Sequence, residues 1–492
     1  MYSEKTKEKL KTVFPQMLVF KDPQRNKSIS SWGIPGFLRD WLVKRFARED
    51  GTLDIEAVQS YVKEHIPSRG DWEKLKKRMT TDFATVKILA KVRAELDVAT
   101  GEGLFSLPDF GFPSRKYDAI IDKSLLREKG ELILSSSENW GVIELEWRLY
   151  APEGKKEKGV IFMTSFTPFR PYRVDLTFFQ LARKEFTLAE WLDVILSAID
   201  YNPQGFLDTR QKLTFISRLI PFVEKRANII ELAPKGTGKS YVFSEISKYG
   251  WLVSGGSVTR AKLFYDIQRR QPGIICRQDY VALDEIQSIS FPDEEEIRGA
   301  LKGYLESGEF RVGDYRGVGE AGFVLLGNIN YKLTSTSRNM FTELPSIFHE
   351  SALLDRFHGF IRGWDIPRMK ENMKASGWAL SAEYFSEIMH CLREDIRYRD
   401  IVDEMLAYPK SADTRDTEAI KRLTTALMKL LMPHIVIDKT NIDKEMDLIA
   451  KYCLKPAIVM RKIIRKQLHI MDKEYDDKVP EIKLKGKIHN SR

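Results

Sequence analysis

Asn-Ile-Ile-Glu-Leu-Ala-Pro-Lys-Gly-Thr-Gly-Lys-Ser, residues 228–240, is the stretch that decides the fold. Its apolar first half predicts a short buried strand, and its glycines and closing Lys-Ser pair predict a loop that opens a helix. Gly236 and Gly238 allow backbone angles that turn several N–H groups toward one point, where the start of the helix adds positive potential. The pattern therefore predicts a phosphate-binding loop in a nucleotide-binding domain of the α/β class.

The residues of this loop are expected to hold ATP and Mg²⁺. Lys239 is expected to reach the β- and γ-phosphates, and the Ser240 hydroxyl to bind Mg²⁺. Ala233 stands where the G-x-x-x-x-G-K-[ST] pattern has glycine, and the rest stays in register. The alternative is a glycine-rich turn with a surface lysine, which the flanking pattern disfavours. The predicted nucleotide contacts are Ala233, Pro234, Lys235, Gly236, Thr237, Gly238, Lys239 and Ser240.

Two later apolar runs end in polar side chains. Residues 280–285 predict a parallel strand that ends in Asp284 and Glu285. Asp284 is expected to hold Mg²⁺ through its water shell and Glu285 to deprotonate the attacking water, unless the pair only opens a helix. Residues 322–328 predict a strand that ends in Asn328, which is expected to lie between the γ-phosphate and that water. Asparagine also commonly follows a strand in a turn, which is the alternative.

Two arginines follow these strands. Arg356 ends a short apolar helix over residues 350–357 and suits an arginine finger acting on a neighbouring subunit's site, which implies a ring. Arg415 lies in the first turn of a helix that begins at Asp413, where the helix dipole disfavours a cation. An anion is therefore expected to hold it. That anion is either Asp413 or Asp416, or a nucleotide phosphate that Arg415 senses from a helical lid.

Five features thus occur in one order: the glycine-rich loop, the Asp-Glu pair, the strand-end Asn, the arginine finger and the lid arginine. This order resembles the AAA+ ATPases, in particular the Lon-like AAA+ proteins of BREX phage-defence systems (the BrxL family), which are related to MCM-type rings. The resemblance implies an ATP-hydrolysing homo-oligomeric ring, hexameric or a stacked double ring, that acts on double-stranded DNA in phage defence with other BREX components. It is carried by residues 186–196, 232–241, 301–310, 326–330 and 354–367.

The end of the chain departs from the pattern of that family. Longer members carry a Lon-like protease domain with a Ser-Lys dyad, whereas only 59 residues follow Pro433 here. Independent domains usually have about 100–150 residues. We therefore expect a short form without proteolytic activity.

Composition predicts a cytoplasmic protein. The 492 residues, 43% of them hydrophobic, suffice for about three domains. The three cysteines, an odd number without a CxxC pair, indicate reduced thiols. The N-terminus has no apolar signal core and no apolar run reaches about 18 residues, so no membrane contact is expected. The histidines show no metal-binding spacing, and Mg²⁺ is the only metal expected.

Two basic segments are candidates for DNA contact. Residues 451–492 hold 12 basic and 5 acidic residues of a chain with net charge +9. Helical spacing places two pairs of cations on shared faces there, so this helix could lie along the phosphate backbone of DNA. The alternative is an ordinary solvated amphipathic helix. Glycine-rich residues 309–322 predict a hairpin that, in MCM-like rings, touches DNA in the pore; the alternative is a solvated hairpin. The candidate contacts are Arg311, Arg316, Arg461, Lys462, Arg465 and Lys466.

The region before the glycine-rich loop divides in two. Period-2 alternation over residues 85–96, 142–150 and 159–165 predicts strands of a small OB-like barrel or sandwich, preceded by helices. Thr187 and Glu190 predict a capping box where the helix leading into the ATPase begins. The expected fold is multidomain α/β, with an AAA+ core and helical lid after this helical and β-barrel region. The predicted boundaries are 1–80 helical, 81–185 OB-like, 186–370 AAA+ core, 371–450 lid and 451–492 basic helix and tail.

Three functions are compatible with these motifs. The first is a ring ATPase that encircles or moves along double-stranded DNA. The second is a nucleotide-gated DNA clamp with little turnover, which needs the same motifs. The third is a Lon-type protein unfoldase, which is disfavoured because the region between the two nucleotide motifs has no aromatic-apolar-glycine segment for gripping polypeptide.

Overall fold

The computed structural model of the chain describes residues 2–485 except for 31, 33, 49–52, 135–138, 152–155, 170–173, 269, 331–333, 335–336 and 438–441. The chain divides into two compact units. One unit contains Met1–Trp41 together with Val174–Arg492, and the other contains Leu42–Arg173. We refer to them as the ATPase unit and the barrel unit.

The first 41 residues belong to the ATPase unit because their strand pairs far along the chain. This strand, β1, lies antiparallel to residues 377–380, with Leu18 opposite Leu380. The unit boundary therefore cuts through the predicted helical subdomain of residues 1–80. The elements at this end are α1 (Glu4–Val13), β1 (Leu18–Lys21), α2 (Pro23–Ser30) and α3 (Gly36–Arg45).

The barrel unit is a closed five-stranded barrel. Its strands follow the order β2-β3-β4-β6-β5, in which β4 and β6 are parallel and the other neighbours antiparallel. Alternating side chains such as Ile88, Ile143 and Leu145 fill the interior, so the strands predicted from period-2 alternation lie within β2, β5 and β6. The elements are α4 (Ile55–His65), α5 (Trp72–Thr80), β2 (Val86–Asp97), β3 (Glu102–Ser106), β4 (Ala119–Ile121), α6 (Lys123–Leu134), β5 (Asn139–Tyr150) and β6 (Lys158–Pro168).

The ATPase unit is built on a parallel five-stranded sheet with helices around it. The order is β15-β7-β14-β11-β8, and every neighbouring pair runs parallel. Besides β1, the strands of the whole unit, inside and outside this sheet, are β7 (Ile229–Ala233), β8 (Gly250–Ser257), β9 (Tyr265–Asp266), β10 (Gln271–Pro272), β11 (Tyr280–Ser290), β12 (Glu309–Val312), β13 (Tyr315–Val318), β14 (Gly322–Asn328), β15 (Gly359–Arg362), β16 (Gly377–Leu380), β17 (Leu406–Ala407) and β18 (Lys483–Leu484).

The helices of this unit include the predicted capping box. The Thr187 side chain accepts from the Glu190 backbone N–H, and the Glu190 carboxylate accepts from Thr187 in return. The helices are α7 (Leu176–Ala182), α8 (Leu188–Ala198), α9 (Thr209–Ile216), α10 (Ile220–Val223), α11 (Lys239–Glu245), α12 (Arg260–Leu263), α13 (Glu294–Ser307), α14 (Ser351–Leu354), α15 (Ala382–Glu394), α16 (Arg397–Met405), α17 (Thr414–Leu431), α18 (Ile442–Ile449) and α19 (Lys455–Met471).

The central strands of the sheet are buried on both faces. Tyr280, Val281, Ala282 and Leu283 of β11 are fully buried, as the apolar run predicts for a parallel strand covered by helices. The helix α19 packs against β15 and α17, so the C-terminal region belongs to the core of this unit. Among the described residues, no helix is long and apolar enough to cross a membrane.

Candidate nucleotide site

The sheet brings the predicted site residues to one edge. Because β7, β14 and β11 are parallel neighbours, their carboxyl ends lie together. β7 ends at Ala233 and β14 at Asn328, while Asp284 directly follows the last residue of β11 that pairs with β14. The glycine-rich loop, residues 233–240, leaves the sheet at the same edge.

The glycines of this loop have the backbone angles that the sequence requires of them. Gly236 has φ 82° and Gly238 has φ 77°, a region that favours glycine, and α11 begins at the next residue, Lys239. The departure at Ala233 is accommodated by Gly363. A Cβ built on Gly363 would lie 2.1 Å from the Cβ of Ala233, so a glycine opposite leaves room for the alanine methyl group.

Lys239 points to the end of the neighbouring strand. Its Nζ donates to Asn328 Oδ1 at 3.4 Å, and the side chain is largely buried. Burial lowers the pKa of Lys239 below its ordinary value, while the nearby carboxylates of Glu231, Asp284 and Glu285 act in the opposite direction. A desolvated cation beside an amide suits an anionic ligand that supplies the missing negative charge.

Ser240 and Asp284 form the predicted metal-binding pair. The Ser240 hydroxyl donates to Asp284 Oδ2 at 2.5 Å, and Asp284 is 3% exposed. A hydroxyl and a carboxylate at this spacing are hard oxygen ligands of the kind that Mg²⁺ prefers when phosphate and water complete its shell. Among the described residues there is no group of three or more His, Cys, Asp or Glu side chains that could hold a metal ion by themselves.

Glu285 has an unusual backbone conformation. Its φ is 48°, in the left-handed region that costs a non-glycine residue about 1–3 kcal/mol. Its N–H donates to Asp284 Oδ1 at 2.9 Å, and its side chain is exposed to solvent. The pairing of β11 with β8 shifts register between Asp284 and Ile289, so Glu285 lies in a bulge of the strand.

Gln287, which the sequence interpretation missed, fixes the end of β14. Its Oε1 accepts from the Asn328 N–H at 3.2 Å, and its Nε2 donates to the Asn328 carbonyl at 2.6 Å. This two-way pairing orients the backbone that carries the Asn328 amide. A glutamine two residues beyond an Asp-Glu pair offered no recognisable signal.

A buried ion pair contacts the backbone of the glycine-rich loop, and the sequence interpretation missed this ion pair too. Arg218 and Glu231 are fully buried and make two bonds, Nε–Oε2 at 2.9 Å and Nη2–Oε1 at 2.6 Å. Arg218 Nη1 also donates to the Thr237 carbonyl at 2.9 Å. The available signal was Glu231 itself, since a carboxylate inside an apolar strand requires a buried cation.

A cavity of about 700 Å³ adjoins the loop. Gly236 and Gly238 line it together with Tyr201, Tyr241 and Met369. Arg39 of the N-terminal segment and Asp200 also line the cavity. Arg39 bonds Asp200 Oδ2 at 2.5 Å, and Lys21 bonds Asp200 Oδ1 at 2.5 Å. Its size suits a small-molecule ligand.

Arg356 and Arg415 lie together, away from the loop. Arg356 shortly precedes β15. The amino end of β15 pairs with the amino end of β7, so Arg356 lies at the edge of the sheet opposite to the glycine-rich loop. At about 3.3 Å per residue, β7 separates these edges by roughly 13–16 Å. Both arginines form ion pairs with Glu306, at 2.8 Å from Arg356 Nε and 3.0 Å from Arg415 Nη2, and Arg415 also pairs with Asp355 at 3.0 Å.

These contacts correct one sequence-based alternative for Arg415. Asp413 does accept from the Arg415 backbone N–H, at 2.9 Å, as the cap of α17. The guanidinium, however, is held by Glu306 and Asp355, neither of which was considered from the sequence.

The prediction that Arg461 and Arg465 contact DNA is wrong. Arg461 is completely buried and Arg465 nearly so, because α19 packs into the unit with these side chains on its inner face. Their charges are matched by Asp355, Asp413 and Asp416. Lys462 is exposed and Lys466 half-buried, and their role in DNA contact stays a prediction.

The predicted hairpin is present. β12 and β13 pair antiparallel with Arg311 directly opposite Arg316, and both side chains are exposed. They line a groove of about 870 Å³ with Arg260, which forms an ion pair with Glu296. Glu296 and Glu309 line the groove too, so the charge that suits a polyanion is that of the exposed Arg311 and Arg316.

Comparison with known proteins agrees with the family resemblance. The family model described as "Lon-like protease BrxL-like, ATPase domain" matches residues 161–481, and the one described as "BREX system Lon protease-like protein BrxL N-terminal" matches residues 12–147.

Two curated relatives match most of the chain. The Lon-like protease BrxL of Escherichia coli O9:H4 (strain HS) is 29% identical over 441 residues, which are 88% of this chain and 60% of the relative. The Lon-like protease BrxL of Bacillus cereus (strain H3081.97) is 26% identical over 475 residues, which are 94% of this chain and 66% of the relative. The chain thus spans about 60–66% of the length of these relatives.

Proposed function

This chain belongs to the BrxL family and contains its ATPase domain, and we propose that it binds ATP with Mg²⁺ and hydrolyses it at sites shared between subunits of a homo-oligomeric ring. The observation that carries the proposal is the division of the charged groups between two edges of one sheet. Lys239, Ser240 and Asp284 lie at the carboxyl edge, and Arg356 lies at the amino edge. A subunit then has both halves of a site but needs a neighbour to join them.

At the carboxyl edge, each residue has one task. Residues 233–240 hold the phosphates, with Lys239 as their counter-ion, and Ser240 with Asp284 would hold Mg²⁺. The metal, when bound, neutralises charge on the phosphates. Glu285 takes the proton of the attacking water and Asn328 orients that water, while the cavity beside Tyr201 receives the nucleoside.

At the amino edge, Arg356 acts as the finger for the neighbour's γ-phosphate and Arg415 as a second phosphate sensor. Their exposed counter-ion Glu306 can exchange for a phosphate. A hexamer or a stacked double ring satisfies this geometry. The proposed architecture has an AAA+ core (186–370), a helical lid (371–450), and a helical and OB-like region (1–80 and 81–185) before it, with 451–492 closing the core.

The proposed target is double-stranded DNA, encircled or travelled along by the ring in BREX phage defence with other BREX components. Support comes from the exposed Arg311 and Arg316 on a hairpin beside a groove, and from the parallel β4–β6 closure of the barrel, which is compatible with an OB-like fold. Lys462 and Lys466 are secondary candidates.

Two alternatives use the same nucleotide site. A nucleotide-gated DNA clamp with little turnover requires the same residues, and a Lon-type unfoldase requires a segment that grips polypeptide in place of the hairpin arginines. The exposed arginines of the hairpin favour DNA over polypeptide.

Steady-state ATP hydrolysis tests the proposal. Wild type and Glu285→Gln are assayed alone, with duplex DNA and with an unfolded protein. We expect DNA-stimulated turnover in the wild type and a loss of about 10²–10⁴-fold in Glu285→Gln, which still binds ATP. Equal turnover in both proteins would remove Glu285 as the base. Tight, salt-sensitive DNA binding without stimulation would favour the clamp, and stimulation by unfolded protein alone would favour the unfoldase.

A further inference from the structure

Arg461 makes an unusually complete set of contacts for a buried guanidinium. Nη2 bonds Asp355 Oδ1 at 2.6 Å and Nε bonds Asp416 Oδ1 at 2.6 Å. Nη1 donates to two backbone carbonyls, those of Asp355 at 2.9 Å and Phe357 at 2.7 Å. The two carboxylates match its charge, and the carbonyls engage donors that the carboxylates leave free.

Two of these contacts lie on either side of Arg356. The carbonyls belong to the residues immediately before and after it, at the end of α14. The helix α14 has only four residues, and the carbonyls of Asp355 and Phe357 lie in the turn just beyond its last residue, Leu354. The guanidinium of Arg461 donates to both of these carbonyls and so fixes the backbone from which the Arg356 side chain leaves.

The other two contacts lie beside Arg415. Asp416 is its neighbour in the chain, and Asp355 divides its two oxygens between Arg461 and Arg415, at 2.6 Å and 3.0 Å. Arg465, one helical turn further along α19, forms an ion pair with the second oxygen of Asp416 at 3.0 Å. The start of α17 is therefore tied to α19 through the residue next to Arg415.

Lysine could not reproduce this arrangement. A planar fork with five N–H donors reaches two carboxylates and two carbonyls at once, whereas an ammonium has three donors on a flexible stem. The chemistry of the site thus depends on the residue type, and the burial of Arg461 excludes a solvent-facing role.

We infer that Arg461 is a positioning residue that holds Arg356 and Arg415 in register for a neighbouring subunit's phosphate. The inference rests on the proposed function, in which these two arginines act across the subunit interface. It makes the C-terminal helix part of the catalytic apparatus, although Arg461 itself touches no nucleotide.

The test compares Arg461→Lys with Arg356→Ala, and with Lys455→Ala as a control that removes an exposed cation from the same helix. Each variant is assayed for ATP affinity and kcat, alone and mixed with Glu285→Gln. Since small displacements of a reacting group cost up to about 100-fold, we expect kcat of Arg461→Lys to fall about 10–100-fold with ATP affinity unchanged. Mixing with Glu285→Gln is expected to restore turnover, because intact arginines then meet an intact Glu285. Lys455→Ala is expected to match wild type.

The outcomes separate the inference from the function on which it rests. Wild-type kcat in Arg461→Lys would show that Arg461 does not position the two arginines. The same follows if mixing with Glu285→Gln rescues Arg356→Ala but not Arg461→Lys. If Arg356→Ala is not rescued either, the shared site fails and the inference falls with it. Should Arg461→Lys not fold, Asp416→Asn replaces it in the test. We expect kcat of Asp416→Asn to fall about 3–10-fold at unchanged ATP affinity. Wild-type kcat in that variant would overturn the inference.

Discussion

Arg356 and Arg415 come from different parts of the chain yet form ion pairs with the same oxygen, Oε2 of Glu306, at 2.8 Å and 3.0 Å. The carboxylate of Glu306 is 44% exposed, so it can leave both arginines without being stranded in the interior. In a ring, a neighbour's phosphate would compete with Glu306 for the same two guanidinium groups. Glu306 is thereby placed to influence assembly.

Replacing Glu306 by glutamine is expected to favour the assembled state. Exposed ion pairs contribute about 0.2–1 kcal/mol each, so their removal should lower the protein concentration for half-maximal ATPase activity about 2–5-fold. The measurement is specific activity against protein concentration. Glu404→Gln, at an exposed glutamate of α16, is the matched control. An unchanged or higher half-maximal concentration in Glu306→Gln would contradict the competition.

Breaking the buried pair of Arg218 and Glu231 is expected to damage both stability and nucleotide binding. Arg218→Met leaves a buried carboxylate unpaired, at a cost of about 3–5 kcal/mol in the unfolding free energy. The double variant Arg218→Met with Glu231→Leu should recover most of that stability in denaturant titrations. It should still bind ATP more weakly than wild type, because the Thr237 carbonyl has lost its donor. Wild-type ATP affinity in the double variant would argue against support of the loop by Arg218.

A buried carboxyl gives the ATPase unit a specific pH dependence. Burial raises the pKa of Glu383 from 4.5 to about 7, with Lys248 opposing the rise and Glu387 adding to it. The folded chain therefore holds this proton more tightly than the unfolded chain. The resulting stabilisation is present below about pH 4.5 and is lost as the pH rises to about 7.

Glu383→Gln isolates this effect, since glutamine does not titrate. We expect the unfolding free energies of Glu383→Gln and wild type to be similar near pH 4.5 and the variant to be the more stable at pH 8. Urea titrations across this range check it, with Glu404→Gln as the exposed control. If the unfolding free energy of wild type instead increases relative to that of Glu383→Gln as the pH rises, the raised pKa does not belong to Glu383.

Arg311→Ala and Arg316→Ala are expected to weaken duplex DNA binding and flatten its salt dependence. Each lost phosphate contact should reduce the slope of log K against log salt concentration by about 0.9. Fluorescence anisotropy at several salt concentrations measures both quantities. Lys455→Ala, which removes one positive charge far along the chain, should leave the slope unchanged. Equal slopes in wild type and both arginine variants would exclude the hairpin as a DNA contact.

Local patterns predicted the carboxyl edge of the sheet well. Apolar runs ending in Ala233, Asp284 and Asn328 imply parallel strands, and parallel strands align their ends, so the meeting of Ser240 with Asp284 follows from the order of motifs. The capping box and the hairpin of Arg311 and Arg316 were equally local, since all of their bonds are made within a few residues.

The errors concern charges whose partners are distant in sequence. Arg461 and Arg465 look like a basic helix face because their partners Asp355 and Asp416 are distant in the chain, 106 and 45 residues from Arg461. The same holds for Arg415, whose guanidinium is bonded by Glu306 at a separation of 109 residues. Helical periodicity identifies a charged face but not what faces it, which depends on how α17, α19 and β15 pack.

The pairing of β1 with β16 also constrains how the chain matures on the ribosome. Leu18 is synthesised 362 residues before its partner Leu380. In between, residues 42–173 can complete their own fold, because a self-contained unit does not wait for the rest of the chain. The strand β1 must stay unpaired throughout that interval, so the ATPase unit cannot be completed until this earlier segment returns to β16.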